Sequence, residues 1–225
     1  MISPTYSVCQ DNDDDIFERC SWFYTLCREL LFTDHTDEIV ARLAPLLKEP
    51  SRPVLLEVGC GPGFYSSRIA KRFPQIDVVG IDPSENLLTH ARQRASRNGL
   101  TNCRYIRARV EELGGSPEST DFIIASRLLL ILGDRGPALK AMHTALKTKG
   151  VLFIAEPRSS LRAALPFACM RIIQFLTCSW TRRQAPMRCA VLDTTEFADY
   201  VASQPWSCVR LWSDTRYQYA LCEKP

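Results

Sequence analysis

The segment Val54-Leu55-Leu56-Glu57-Val58-Gly59-Cys60-Gly61-Pro62-Gly63 runs an apolar strand straight into a turn with glycine at every second position. The apolar run fits a strand covered on both faces, the setting of a parallel sheet. Glycines at 59, 61 and 63 keep Cβ atoms out of the turn, so its backbone N–H groups can close on a ligand. Val78-Val79-Gly80-Ile81-Asp82 is a second strand of the same kind and ends in an acid. A carboxylate there can accept both hydroxyl hydrogens of a ribose. Together the two segments predict a nucleotide-type cofactor site.

Glycine spacing separates the cofactor classes that use such a layout. Dinucleotide sites follow G-x-G-x-x-G/A, which seats a pyrophosphate on the helix N-terminus and lets the helix pack closely. Here the spacing is G-x-G-x-G, and the residue three after Gly61 is the bulky Phe64. That weakens the pyrophosphate reading. Strands are predicted at 53–58, 77–82, 103–108, 121–126 and 150–156, with helices near 64–73, 84–97 and 135–147, the last stopped by Gly150. Strands and helices in alternation imply right-handed crossovers and a mostly parallel sheet.

Glu57-Val58-Gly59-Cys60-Gly61-Pro62-Gly63 with Gly80-Ile81-Asp82-Pro83-Ser84 resembles the class I S-adenosylmethionine-dependent methyltransferases of small-molecule type, over roughly residues 50 to 157. The resemblance implies a Rossmann-like, doubly wound α/β fold. Its sheet would be seven-stranded and mostly parallel, with an antiparallel edge strand and helices on both faces. It implies S-adenosyl-L-methionine as cofactor, cradled by the turn at Gly59, Cys60, Gly61 and Gly63. Asp82, followed by Pro83, would hold the ribose, and Glu57 would orient the turn. Arg104 to Leu113 resembles the third-strand motif, but Arg109 stands where an adenine-binding acid is usual. Val110 then remains through its backbone N–H, with Glu111 as a substitute acid. Ser126 and Arg127 fall where the family sets backbone against the cofactor's amino-acid end. Beyond them Leu128 to Leu132 offers no base, and the D/N-P-P-Y/F tetrad of amino-methylating enzymes acting on nucleic-acid bases is absent.

With 225 residues, 46% of them hydrophobic, the chain can bury one core. We expect a single domain, with an N-terminal helical lid at 1–50, a cofactor-binding core at 51–157, a substrate-cap insertion at 158–192, and a closing helix and edge hairpin at 193–225. Asp193 and Glu196 can cap that helix reciprocally. The first residues carry no signal-peptide pattern, and ten scattered cysteines suit a reducing cytoplasm. Residues 157–192 hold six arginines (158, 162, 171, 182, 183, 188) and no acid, so the net +3 is +6 there and −3 elsewhere. Arg162, Pro166 and Arg171 interrupt the apolar stretch, which therefore does not read as a membrane span. Phe167, Met170, Ile173, Phe175 and Trp180 would cover an apolar acceptor, with arginines at the rim for an anion. A peripheral membrane surface or a homodimer contact through this segment stays open.

Methyl transfer from a sulfonium needs alignment more than acid–base chemistry. The histidines that could serve as a base are His35, His90 and His143, of which the last two fall in sheet-flanking helices and read as surface residues. Glu156 at the exit of the fifth strand, with Tyr24 and Tyr6 near the lid, are the catalytic candidates; no metal site is read. The function expected is methyl transfer by in-line displacement to a small apolar or anionic acceptor. The alternatives are an RNA methyltransferase, a non-catalytic module, or an NAD-type cofactor-binding module on the same fold. Modest net charge argues against nucleic acid.

Overall fold

A computed structural model describes residues 16–44, 52–159, 166, 168–170, 172 and 190–225. The chain begins with α1 (Ile16–Arg19), α2 (Ser21–Leu30) and α3 (Thr36–Leu43). It continues through β1 (Val54–Val58), α4 (Phe64–Arg72), β2 (Asp77–Asp82), α5 (Glu85–Arg97) and β3 (Cys103–Arg107). A 3-10 turn (Val110–Gly115), β4 (Thr120–Ser126), α6 (Gly136–Ala145) and β5 (Leu146–Pro157) follow. A closing helix (Thr194–Ala202), β6 (Cys208–Ser213) and β7 (Tyr217–Glu223) complete it.

The seven strands lie in the order β3-β2-β1-β4-β5-β7-β6. β1 pairs in parallel with both β2 and β4, so the strand order reverses beside β1. In open α/β sheets a ligand sits outside the carboxyl ends of the strands at such a point. β7 inserts antiparallel between β5 and β6, as the expected hairpin requires, and leaves β6 outermost.

Alternate strand residues feed two cores. Leu56, Val58, Ile123 and Ile154 join Leu139 and Met142 of α6 and Phe197 of the closing helix on one face. Leu55, Ile124 and Phe153 join Ile39 and Leu43 of α3 and Ile69 of α4 on the other. Each fully buried aliphatic or aromatic side chain contributes about 1.5–3 kcal/mol. The closing helix starts on the expected reciprocal cap. Asp193 Oδ1 accepts from the N–H groups of Thr195 and Glu196, both at 2.8 Å, and Glu196 Oε2 accepts from Asp193 N at 3.0 Å.

Two local readings are corrected. Gly150 does not stop the third predicted helix, since α6 ends at Ala145 and Leu146 already pairs with Thr120. The register shifts before Phe122 pairs with Val151, and Lys149 takes a φ of 62° at that irregularity. A Cβ on Gly150 would lie 2.8 Å from the Lys147 carbonyl oxygen, which explains the glycine. His143 is not a solvated surface residue, because it packs edge-on to Trp206 with ring centroids 4.7 Å apart. Among the described residues no helix is long and apolar enough to cross a membrane.

The N-terminal helices are tied to the core. Glu18 accepts from Glu85 N at 2.5 Å and Asn86 N at 3.1 Å, capping α5 beside Ser84. Arg94 of α5 bonds Glu29 Oε1 at 2.5 Å and donates from Nε to the Pro62 carbonyl at 3.0 Å. This anchors α2 over the glycine turn.

Candidate active site

The turn after β1 is held from three sides. Gly59, Gly61 and Gly63 have φ of 67°, 51° and 69°. Gly63 is fixed twice over, by its left-handed backbone and by space: a Cβ there would lie 2.5 Å from the Tyr105 hydroxyl and 2.9 Å from Ala91 Cβ. Asp82, buried at the end of β2, accepts from Gly61 N through Oδ2 and from Ser84 N through Oδ1, both at 2.9 Å. It thereby links the turn to the start of α5. A carboxylate offers about four acceptor positions, so bracing the turn is compatible with receiving ribose hydroxyls.

Glu57 lies buried in β1 and caps α4 across the turn, its Oε2 accepting from Ser66 N at 2.7 Å. Burial pushes its pKa up to about 7 against that hydrogen bond and the Arg28 charge. Cys60 is buried with its thiol held well above the usual range, first by desolvation and then by Asp82, so it packs and does not act as a nucleophile. Pro83 is exposed and offers its carbonyl to Arg107 Nε at 3.0 Å. Val110 is buried at the start of the 3-10 turn and Glu111 is exposed beside it. Glu112 braces this turn by accepting from Arg109 N at 2.9 Å.

On the β4 side Ser126 is half-buried and Arg127 turns the chain with a φ of 57°, its N–H held by the Ala155 carbonyl at 2.9 Å. The Arg127 guanidinium stands 3.9 Å from the Phe32 ring centroid, and its Nη1 is 3.4 Å from the Tyr217 hydroxyl. Leu128, Leu129 and Leu130 are buried; Leu128 packs on Gly59, while Leu130 joins Phe17, Cys20, Leu87 and Met170.

The three catalytic candidates fare differently. Tyr24 lies over the turn, its Cε1 3.3 Å from where a Cβ on Gly61 would be, with its ring edge against Phe17 and Phe32. Desolvation raises its phenol pKa while Arg127 and Arg28 oppose the rise. Glu156 is buried at the exit of β5, but its Oε1 accepts from Leu129 N at 2.8 Å, so this carboxyl organises the leucine loop. Tyr6 lies outside the described residues, as do residues 1–15, the arginines at 162, 171, 182, 183 and 188, and Phe167, Ile173, Phe175 and Trp180. Arg158 is described and donates to the Asp214 carbonyl at 2.8 Å, beside the hairpin turn.

Burial holds Glu156 near pKa 7, against 4.5 for an ordinary glutamate, with the backbone N–H groups of residues 128–130 and Arg127 opposing the rise. A raised folded pKa means stability fully present below pH 4.5 and lost as pH rises through 7. The stability of Glu156→Gln relative to the parent is therefore expected to improve by on the order of 2 kcal/mol between pH 4.5 and pH 8. Urea denaturation at the two pH values measures this, and an unchanged difference contradicts it.

Sequence reasoning did not assign Arg28, Phe32 or Tyr217 to this site, and it named His35 only as one of three histidines that could act as a base. Arg28, Phe32, His35 and Tyr217 come from α2, the α2–α3 connection and the last strand. His35 is buried, edge-on to Tyr217 at 4.5 Å, and desolvation followed by the Arg28 charge pushes its pKa down to about 4. No local motif marks these positions, since only packing across the chain assembles them.

With this geometry in view, comparison with known proteins gives a consistent answer. Residues 51–198 match the methyltransferase domain family. A trans-aconitate 2-methyltransferase of Variovorax paradoxus is 32% identical over 125 residues, covering 56% of this chain and 45% of that protein. A ubiquinone biosynthesis O-methyltransferase of Neisseria meningitidis is 28% identical over 183 residues, 74% of this chain and 75% of that protein. The chain spans less than half the length of the trans-aconitate enzymes it matches. In fold it is similar to Haemonchus contortus phosphoethanolamine N-methyltransferase 2, solved with S-adenosyl-L-methionine, at a TM-score of 0.69 and 13% identity over 92% of this chain and 57% of that one. The chain belongs to the class I S-adenosylmethionine-dependent methyltransferases. The left-handed glycine turn, the acid bracing it and the buried glutamate behind it fit that family's cofactor.

Proposed function

We propose that this chain transfers a methyl group to a small acceptor carrying a carboxylate beside an apolar body. The observation that carries the reading is the wall facing the glycine turn, where the Arg127 guanidinium stacks on Phe32 next to Tyr217 and its charge reaches Tyr24. A guanidinium framed by rings attracts a planar anion while the rings cover its apolar part. One set of relatives is named for trans-aconitate, a polycarboxylate, which supports an anionic acceptor. The seven described cysteines are free thiols, which supports a reducing, cytoplasmic setting.

When bound, S-adenosyl-L-methionine supplies an electrophilic methyl whose transfer to a carboxylate oxygen leaves a thioether and an ester, with no proton to move. The titratable groups suit such an acceptor. His35 is neutral at pH 7 and nearly non-basic, the Tyr24 phenol is held protonated by burial, and Glu156 is committed to the leucine loop. What remains for the protein is placement: Asp82 and the turn fix the donor, while Arg127 and the rings align the acceptor and exclude water. Alignment of this kind can supply about 7–11 kcal/mol of barrier lowering.

A labelled-methyl assay with trans-aconitate, its trimethyl ester and a catechol tests the reading. We expect turnover of the free acid alone, since only the carboxylate offers a nucleophile with no proton to lose. Turnover of the ester or catechol without the acid contradicts it.

A further inference from the structure

Arg135 stands where local chemistry disfavours it. It is the residue before α6, a place where Ser, Thr, Asp or Asn would cap the helix and where a cation meets the positive end of the helix dipole. Its side chain makes no cap bond, and Asp134 takes that role, its Oδ1 accepting from Gly136 N at 3.1 Å. The guanidinium turns instead onto the loop that leaves β4. Its Nε donates to the Leu129 carbonyl at 2.7 Å and its Nη2 to the Ala190 carbonyl at 2.6 Å. Where a residue breaks a local rule in this way, the compensating gain lies elsewhere in the fold and often at a functional site.

Leu129 is gripped at both of its backbone polar groups. Its N–H goes to the buried Glu156 carboxyl at 2.8 Å and its carbonyl to Arg135, so an acid and a cation hold the one residue from opposite sides. Its neighbours reach out in two directions. Leu130 accepts from Ala190 N at 3.1 Å and packs with Phe17, Leu87 and Met170. Leu128 packs on the glycine turn, its Cδ1 3.1 Å from where a Cβ on Gly59 would be. Hydrogen bonds from a charged donor are stronger than neutral ones, and the guanidinium fork fixes two carbonyl oxygens at a set spacing, which a single ammonium cannot do. Releasing Leu129 therefore frees Leu128 to move off Gly59, and a misplacement of about 1 Å at a distance from the chemistry is enough to cost function.

We propose that Arg135 is a positioning residue of the cofactor site, acting through Leu128 to Leu130 on the glycine turn. The inference rests on that turn holding S-adenosylmethionine, and its test separates the two claims.

Calorimetry with S-adenosylhomocysteine and thermal melts of the full chain compare the parent with Arg135→Met, Arg135→Lys, Tyr200→Phe, Leu128→Ala and the double variant R135M/L128A. We expect R135M to lose about tenfold in affinity. R135K falls between it and the parent, because an ammonium reaches one carbonyl where the fork reaches two. The Tyr200 hydroxyl donates to the Arg135 carbonyl at 2.7 Å, so Y200F loosens the start of α6 and leaves the guanidinium in place. That variant is expected to melt lower while binding S-adenosylhomocysteine as the parent does. Because the effect travels through Leu128, R135M adds little once Leu128 is alanine. Affinities that follow Tm across all the variants, Y200F included, make Arg135 a stabilising group only and overturn the proposal. Parent-like binding by R135M overturns it as well, and so do losses that simply add in the double variant. A parent protein that binds no S-adenosylhomocysteine contradicts the cofactor reading, and this inference falls with it.

Discussion

Asp82→Ala lowers the affinity for S-adenosylhomocysteine by about 100-fold or more, the largest binding effect expected of any single change in this chain. Two losses combine. Hydrogen bonds from ribose hydroxyls to a charged acceptor contribute about 1.5–3 kcal/mol each, and both depend on the one carboxylate. The same carboxylate joins Gly61 N to Ser84 N, so its removal leaves two buried donors unpaired and slackens the turn. Asp82→Asn is expected to fall between parent and alanine, because one oxygen remains and an NH2 group now meets a backbone donor. Calorimetric titration of the three proteins measures the order, and affinity unchanged in the alanine variant sinks the assignment.

Gly63→Ala is expected to have the largest effect on folding. Alanine at a φ of 69° carries a left-handed penalty of about 1–2 kcal/mol. Its Cβ would also press on the Tyr105 hydroxyl at 2.5 Å, which cannot retreat freely because it bonds Ser67 Oγ at 2.9 Å and Ser66 Oγ at 3.2 Å. Overpacking adds about 1–3 kcal/mol, and the sum of about 2–5 kcal/mol corresponds to a fall in Tm of roughly 4–20 °C for a chain of this size. Gly99 supplies the control. Its φ is 63° but nothing lies within 4 Å of its would-be Cβ, so Gly99→Ala should show the backbone penalty alone. Equal destabilisation by the two changes would contradict the contact argument.

Much of the sheet could be read from local pattern because its strands are nearly continuous apolar runs. The turn at Gly59–Gly63 and the acid at Asp82 are short-range features as well, and their geometry follows from glycine conformations and one carboxylate. Arg28 had no such signal. In Ser21 to Leu31 it looks like any arginine on an amphipathic helix, and only the docking of α1 and α2 onto α5, through Glu18 and Glu29–Arg94, brings it against Phe64 and Tyr65 and buries it. His35 and Tyr217 meet for the same reason, from opposite ends of the chain. Glu156 was found by position at a strand exit, but its bond to Leu129 N depends on how the following loop folds back. The stop of α6 was misread at Gly150 because a strand register shift, and not a helix cap, sets the backbone there.

Titrating the parent protein with S-adenosylhomocysteine and, separately, with NADH bears most directly on the sulfonium-nucleoside site. Saturable one-to-one binding of S-adenosylhomocysteine with no heat from NADH is the result predicted. Binding of NADH without S-adenosylhomocysteine would contradict it.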